Sequence, residues 1–276
     1  MCVSVLILTL NEEANLPNCL SSIDWCDDIV IIDSFSSDNT AQIAKKFGTR
    51  FIQHDFTGYA DQRNFGLKEI DYKYPWILMI DADELVTTDL IKEIQSEIKN
   101  KKSNYSLYRL RIKYFFEGKW IRFSSGYPTW FGRLIRKGRV SVQGSVNEHC
   151  MTKGKIGYLK NHLLHYPFNK GYYSWFEKHN RYSSLEAKNI FESDFYRADF
   201  KEIFHSDPFI RRRAIKSFLI RLPMRPIIIF LSMFIFRLGF LDGKKGFDYC
   251  LLRMFYEFMI NYKIRELKIR KQGSML

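Results

Sequence analysis

The feature that most constrains this chain is a series of short apolar runs, each ending in a polar cluster and each followed by a helical pattern. Val3 to Leu10 is a continuous β-branched and leucine run that closes in Thr9-Leu10-Asn11-Glu12-Glu13. A run without alternation predicts a strand buried on both faces. Asn11 is placed to cap a helix whose Leu16, Leu20 and Ile23 share one stripe. Ile29 to Ile32 repeats the pattern and ends in Asp33-Ser34-Phe35-Ser36-Ser37-Asp38-Asn39-Thr40. A helix stopped by Gly48, a strand Arg50 to Gln53 and a helix around Gln62 to Ile70 follow. Trp76 to Ile80 is a further strand, ending in Asp81-Ala82-Asp83-Glu84, before a helix with Ile91, Ile94 and Ile98 on one side. Strand–helix alternation at this spacing predicts an α/β fold with a doubly wound, mostly parallel sheet.

Such sheets bind ligands beyond the carboxyl ends of their strands. Three strand ends here are polar: Thr9 to Glu12, Asp33-Ser34, and Asp81 to Glu84. No glycine-rich phosphate loop follows any strand, which disfavours a dinucleotide-binding Rossmann domain and a P-loop enzyme. A diphosphate bound here needs a metal to neutralise it. Carboxylates spaced i, i+2 at a strand end offer the hard oxygens that Mg²⁺ or Mn²⁺ takes. A helix cap or turn is the plain alternative for each cluster, and it weighs most for Asp38.

Charge divides the chain. Residues 1–100 hold 8 Lys/Arg against 17 Asp/Glu, a net of −9, and residues 101–276 hold 35 against 13, a net of +22. The acidic third suits a cation site and the basic remainder suits an anionic partner. With 46% apolar and 16% aromatic residues the 276-residue chain can bury a core, which excludes wholesale disorder. The five cysteines are scattered and form no C-x-x-C pair, which argues against a zinc ribbon, a redox dithiol or a disulfide scaffold. No basic segment precedes the first apolar run, so no signal peptide is expected. The longest later run, Ile227 to Phe236, is about half what a spanning helix needs.

Taken in order, Leu6-Ile7-Leu8-Thr9-Leu10-Asn11-Glu12-Glu13, Val30-Ile31-Ile32-Asp33-Ser34, Ser37-Asp38-Asn39-Thr40 and Ile80-Asp81-Ala82-Asp83-Glu84 resemble family-2 glycosyltransferases of the GT-A fold. The resemblance covers residues 3 to about 100. Within the family the chain is most similar to bacterial lipopolysaccharide-core β-glucosyltransferases and related exopolysaccharide enzymes. Weaker echoes of that subgroup are Tyr127-Pro128, Arg133-Leu134, Val146-Asn147-Glu148, His165-Tyr166 and Gly239-Phe240-Leu241-Asp242-Gly243. Where many subgroup members carry His-Glu, this chain has Asn147-Glu148, with His149 one place later, so His149 is given no metal role.

The resemblance implies roles. Thr9 and Glu12, with Asn11 and Ser34 beside them, would line the nucleotide pocket, and Asp33 would accept a hydrogen bond from the base. Arg63 would reach the base and diphosphate as a planar donor. Asp83 would ligate the metal directly, with Asp81 on the ribose or metal side and Ala82 between them. The implied reaction is sugar transfer with inversion from a nucleotide-sugar, UDP-hexose being the expected donor. Glu148 is the candidate base; it follows an expected hairpin turning at Lys137-Gly138, and pairing with a nearby cation is the equal alternative.

Downstream, Tyr108, Leu110, Ile112 and Tyr114 alternate with Arg109, Arg111 and Lys113, which predicts a half-buried strand with one cationic face. The aromatic run Tyr166 to Tyr182 reads as a helical core face before a sugar platform. From Pro208 through Leu241 there is no acidic residue, while Arg211, Arg212, Arg213, Lys216, Arg221, Arg225 and Arg237 sit among large aliphatics. Pro223 and Pro226 are expected to divide this stretch, and a third helix is expected over Lys244 to Lys268. Basic, strongly apolar helices suit the interface of an anionic membrane; a buried hairpin with a solvated basic rim is the alternative. The expected organisation is a GT-A domain over 1–205, with 1–100 for the nucleotide-sugar and 101–165 for acceptor and catalysis, and a helical extension over 206–276. The expected partners are the donor, a lipid-linked or envelope glycan and an anionic membrane, on the cytoplasmic face as a peripheral protein; nucleic acid is not expected, since the cations are interleaved with aliphatics. A sugar-nucleotide pyrophosphorylase, for want of a glycine- and arginine-rich loop, and a non-catalytic scaffold, given Asp81 and Asp83, are weaker readings.

Overall fold

Strand β1 (Ser4–Thr9) lies between β2 (Ile29–Asp33) and β4 (Trp76–Asp81), parallel to both, and β3 (Arg50–Gln53) extends the sheet beyond β2. The computed structural model describes residues 2–100, 104–144, 148–192, 199–206, 210–211, 214–215, 217–218, 222 and 224–275. Val5, Ile7, Ile31, Leu78 and Ile80 belong to one core cluster, and Leu6, Val30, Ile32, Ile77 and Met79 to another. Successive side chains point to opposite faces, so one unbroken apolar run serves two cores. That is the physical reason these strands could be located from sequence.

Helices α1 (Leu16–Ser21), α2 (Thr40–Lys46), α3 (Tyr59–Lys68) and α4 (Thr88–Lys99) connect the strands. The expected cap on α1 does not form. Asn15 occupies the N-cap position without a side-chain bond to the helix amides, whereas Asn11 sits at φ 53° and its Oδ1 accepts from the Ser37 amide at 2.8 Å. Asn11 therefore clips the loop after β1 to the loop after β2.

The remaining strands are β5 (Glu84–Val86), β6 (Tyr105–Phe116), β7 (Lys119–Trp120), β8 (Trp130–Arg136), β9 (Ser141–Gln143), β10 (His149–Met151) and β11 (Lys155–His165). The main sheet runs β3-β2-β1-β4-β8-β6-β11-β5, with β7 folded onto β6. Pairs are parallel from β3 to β4 and between β6 and β11, and antiparallel elsewhere. The turn at Lys137-Gly138 does not join a hairpin: β8 pairs with β4 and β6, while β9 pairs with β10.

The chain divides into two compact units, Met1–Ile121 with Tyr127–Gly171, and Arg122–Gly126 with Tyr172–Leu276. The first holds the sheet. The second holds α5 (Gly171–Glu192) after its first residue, a 3-10 turn Phe200–Phe204, α6 (Arg225–Leu231) prolonged by a π turn Ser232–Phe236, a 3-10 turn Gly239–Asp242 and α7 (Gly243–Lys271). Pro226 stands in the first turn of α6, where no amide donor is needed, so it starts this helix rather than breaking it. The Gly239–Gly243 segment has a structural logic of its own. Asp242 is buried and accepts from the amides of Arg122, Phe123 and Ser124 at 3.2, 3.0 and 2.7 Å. A Cβ on Gly246 would lie 2.5 Å from the Gly239 carbonyl oxygen, so α7 can pack this closely only with glycine there. Arg225, expected among the interfacial cations, is 2% exposed and ion-paired with Glu257. Trp175 is buried in α5 and stacks on His179 at 3.7 Å, a helical core contact. Val146, Asn147, Pro208, Arg212, Arg213, Lys216, Arg221 and Pro223 lie outside the described residues.

Candidate active site

The carboxyl ends of β1, β2 and β4 carry the three polar clusters side by side. Asp33 is fully buried and both its oxygens are engaged: Oδ1 accepts from the Thr9 hydroxyl at 2.7 Å and from the Ser36 hydroxyl at 2.5 Å, and Oδ2 from the Ser36 amide at 2.8 Å. In this arrangement Asp33 holds two loops together. The Ser34 hydroxyl accepts from Gln62 Nε2 at 3.0 Å, which ties β2 to α3. The Glu12 carboxylate accepts from Lys170 Nζ at 3.0 Å and from Asn15 Nδ2 at 2.7 Å. Burial and the charge of Asp83 raise its carboxyl above the usual range in spite of Lys170. Ala82 is buried within the core cluster that includes Ile80.

Asp81 and Asp83, two residues apart, meet different partners. Asp81 Oδ1 accepts from Arg63 Nη2 at 2.7 Å and Oδ2 from Arg133 Nη2 at 2.8 Å. Burial opposes its ionisation, but Arg133 and Arg63 outweigh burial and hold the carboxyl well below the usual range. Both oxygens accept from guanidinium groups. Arg63 and Arg133 are 5% and 7% exposed, buried against the carboxylates they contact. Arg63 Nε also donates to Glu148 at 2.9 Å, the pairing weighed above as the alternative to a free base. Arg133 Nη2 donates further to Glu84 at 2.7 Å. Burial pushes the Glu84 carboxyl up to about 7, with Arg133 pulling it back and Asp81 adding to the rise.

Asp83 faces His165, whose Nε2 lies 3.1 Å from Oδ2. The sheet makes this meeting: β11 runs antiparallel to β5, His165 stands opposite Glu84, and the Tyr166 amide donates to the Asp83 carbonyl at 2.9 Å. Burial disfavours the imidazolium, but Asp83 outweighs it and lifts the pKa above the ordinary histidine value. Among the described residues no group of three metal-binding side chains converges. Asp83 and His165 are a carboxylate and an imidazole close enough to share one divalent cation.

No role is expected from sequence for His165, Lys170, Arg133 or Glu84, although His165, Arg133 and Glu84 lie within segments that carry the family resemblance. His165, Lys170 and Arg133 take their places through β8, β11 and the residues that follow, far along the chain from the clusters they complete, whereas Glu84 opens β5 within its own cluster.

The profile described as glycosyl transferase family 2 matches residues 4–166. The lipopolysaccharide core biosynthesis glycosyltransferase LpsC of Rhizobium meliloti is 32% identical over 200 residues, covering 69% of this chain and 72% of that protein. The chain belongs to glycosyl transferase family 2. It is a glycosyltransferase with a GT-A-like sheet. An uncharacterized glycosyltransferase of Rickettsia prowazekii is 26% identical over 293 residues, covering 98% of this chain and 89% of that one. The structure of Staphylococcus aureus TarS 1-349 in complex with UDP-GlcNAc shares the fold at a TM-score of 0.50 and 16% identity, covering 99% and 93% of the two chains.

Proposed function

We propose that this glycosyltransferase moves a hexose from a UDP-sugar, with inversion and with a divalent cation, to a hydroxyl of a lipid-linked or cell-envelope glycan. The Asp83–His165 pair, at 3.1 Å beyond the end of β4, is the observation that carries the reading. Lys170 and Glu12 stand at the neighbouring end of β1, so the acidic floor of the site has a cation of its own. Bound metal would supply charge stabilisation to the leaving diphosphate. The chain's own residues do the rest: Asp83 and His165 hold the ion, and Glu148, oriented by Arg63, takes the proton of the attacking hydroxyl. The relationship to LpsC, named for lipopolysaccharide core biosynthesis, supports an envelope glycan as acceptor, and the UDP-GlcNAc complex of TarS fits the donor class.

A peripheral place on the cytoplasmic face of an anionic membrane is part of the proposal. No single helix among the described residues is long and apolar enough to cross a membrane; Arg225–Phe236 and Gly239–Lys271 form one pair bent by 71° that passes by length and composition together. At this elbow Ile235, Phe236, Leu238, Phe240 and Leu241 are 49, 82, 45, 48 and 53% exposed, with Arg237, Lys244 and Lys245 between and beyond them. Apolar wedges flanked by cations suit an anionic lipid surface.

The deciding experiment is nucleotide release from UDP-, GDP- and dTDP-sugars with Mn²⁺, before and after chelation, in the wild type, Asp83→Asn and His165→Ala. The proposal expects release from a UDP-sugar that chelator abolishes and that both variants lose. Chelator-insensitive release, or wild-type release by Asp83→Asn, would refute the metal assignment.

A further inference from the structure

Strand β6 turns Tyr108, Leu110 and Ile112 into the core and therefore turns Arg109, Arg111 and Lys113 to the other face. Its neighbours put aromatic rings beside these cations. Arg111 stands opposite Trp130 of β8 and His162 of β11, and Arg109 opposite Tyr158 of β11. The Arg111 guanidinium lies 5.2 Å from the centre of the Trp130 ring, and Lys113 Nζ 4.3 Å from that of Trp120. Arg109 Nη1 is 3.5 Å from the Tyr158 hydroxyl, and Tyr158, which is 56% exposed, meets Trp130 edge-on at 5.1 Å. From residue 109 to 113 the cations extend about 13 Å along the strand.

None of the three cations has an ion pair among the described residues, whereas Arg50, Arg63 and Arg133 of the same unit each contact a carboxylate. Arg111 Nε is buried and has no partner among the described residues. The unmet charge is felt locally. Burial, then Lys113 and Arg111, lower the pKa of His162, and burial and Arg111 lower that of Lys113. Arg109 stands opposite Gly132 of β8, whose carbonyl accepts from Cys150 Sγ at 3.5 Å and which directly precedes Arg133 of the candidate site. Clustered cations without counter-ions fit an anion, and indole and phenol faces fit the C–H faces of a sugar ring.

We propose that this face of β6, β8 and β11 binds a negatively charged oligosaccharide, with Arg109, Arg111 and Lys113 on its phosphate or carboxylate groups and Trp120, Trp130 and Tyr158 against its rings. Under the glycosyltransferase reading above, on which this role rests, the bound chain is the acceptor glycan led toward Glu148. The binding claim stands apart from that reading.

The test is titration of the full chain, followed by tryptophan fluorescence and calorimetry, with maltohexaose, phosphorylated maltohexaose, hexagalacturonate and inorganic polyphosphate. The charged hexasaccharides should bind at least tenfold more tightly than maltohexaose, and the tighter of the two tells phosphate from carboxylate recognition. Arg109→Gln/Lys113→Gln should lose tenfold or more, Arg111→Gln a similar factor, and Arg111→Lys most of neither. Trp130→Ala should weaken the hexasaccharides and leave polyphosphate unaffected. UDP binding with Mn²⁺ should be unchanged in every folded variant, which separates this face from the donor site. Equal binding of neutral and charged hexasaccharides would overturn the proposal. So would polyphosphate binding that matches the charged sugars with no dependence on Trp130, or wild-type affinity in the Arg109→Gln/Lys113→Gln protein. Charged-glycan binding that depends on these residues in a protein that releases no nucleotide would uphold the face and count against the catalytic reading alone.

Discussion

Replacing Arg133 with methionine should destabilise the first unit by an amount that grows with pH. Arg133 Nη2 lies 2.8 Å from Asp81 and 2.7 Å from Glu84. Asp81 keeps Arg63 at 2.7 Å, so the carboxyl left without a guanidinium is Glu84, which is fully buried. With Arg133 in place, burial already holds Glu84 at about 7 against an ordinary 4.5. A buried acid with a raised pKa contributes stability fully present below its unfolded value and lost as pH rises through its folded value. In the wild type that loss runs from pH 4.5 to about 7 and then stops, because Glu84 ionises against Arg133. Without Arg133 the folded value climbs further, toward the 8–9 known for buried glutamates, and the loss continues at about 1.4 kcal/mol per pH unit. Near pH 5.5 Glu84 is protonated in both proteins, and the deletion removes chiefly the charged bond to Asp81, about 2 kcal/mol. By pH 8.5 the difference should reach about 4 kcal/mol, within the range for breaking a buried pair. Urea-dependent hydrogen exchange over β4 and β5 at the two pH values reads this locally. Adding Glu84→Gln to the variant should flatten the dependence. An equal difference at pH 5.5 and 8.5 would refute the argument, since Glu84 would then not be the group that Arg133 keeps ionisable.

Three further outcomes follow from the same structure. Glu148→Gln should keep donor binding and lose transfer by about a hundredfold or more, measured by product formation at saturating donor; near wild-type transfer would place the base elsewhere. His179→Gln should remove an acid sensitivity of the second unit: burial lowers His179 from 6.5 to about 4, so its contribution is present above pH 6.5 and lost toward pH 4, up to about 3 kcal/mol. Thermal melts from pH 7 to 4 should therefore slope in the wild type more than in the variant. Gly246→Ala should destabilise α7 by about 1–3 kcal/mol, because overlap with the Gly239 carbonyl at 2.5 Å exceeds the roughly 1 kcal/mol that alanine gains in a helix.

The parts of the fold legible in the sequence are those whose burial is written locally. The runs at β1, β2 and β4 are apolar at every position because both faces of the sheet are covered, and β3 could be bounded at Arg50 and Gln53 by Gly48 and the polar residues after it. Pairing was less legible. Two strands flanking Lys137-Gly138 suggest a hairpin by proximity in sequence, yet β8 inserts between β4 and β6 and leaves β9 to β10. Burial of cations was not legible at all. Arg63 reads in sequence as a phosphate donor and Arg133 as nothing in particular, and their contacts with Asp81 at the end of β4 are what bury both.

The same limit explains the two aspartates. Spacing i, i+2 makes Asp81 and Asp83 look equivalent, because a motif records the chain and not what arrives from across the sheet. Asp81 ends β4, where guanidinium groups from α3 and β8 take both its oxygens. Asp83 lies beyond the strand, in the turn to β5, where β11 delivers an imidazole instead. A carboxylate held by two arginines has its charge already answered, and drawing it onto a cation would leave the buried Arg63 and Arg133 each short of a carboxylate. A carboxylate beside a histidine already has a second metal-binding group within reach. The division of labour is therefore set by residues 63, 133 and 165. It predicts that Asp81→Asn should act first on stability and on the placement of Glu148, and Asp83→Asn on metal affinity with the fold intact. Calorimetric Mn²⁺ binding alongside thermal melting of both variants separates the two effects, and the reverse pattern would undo this assignment.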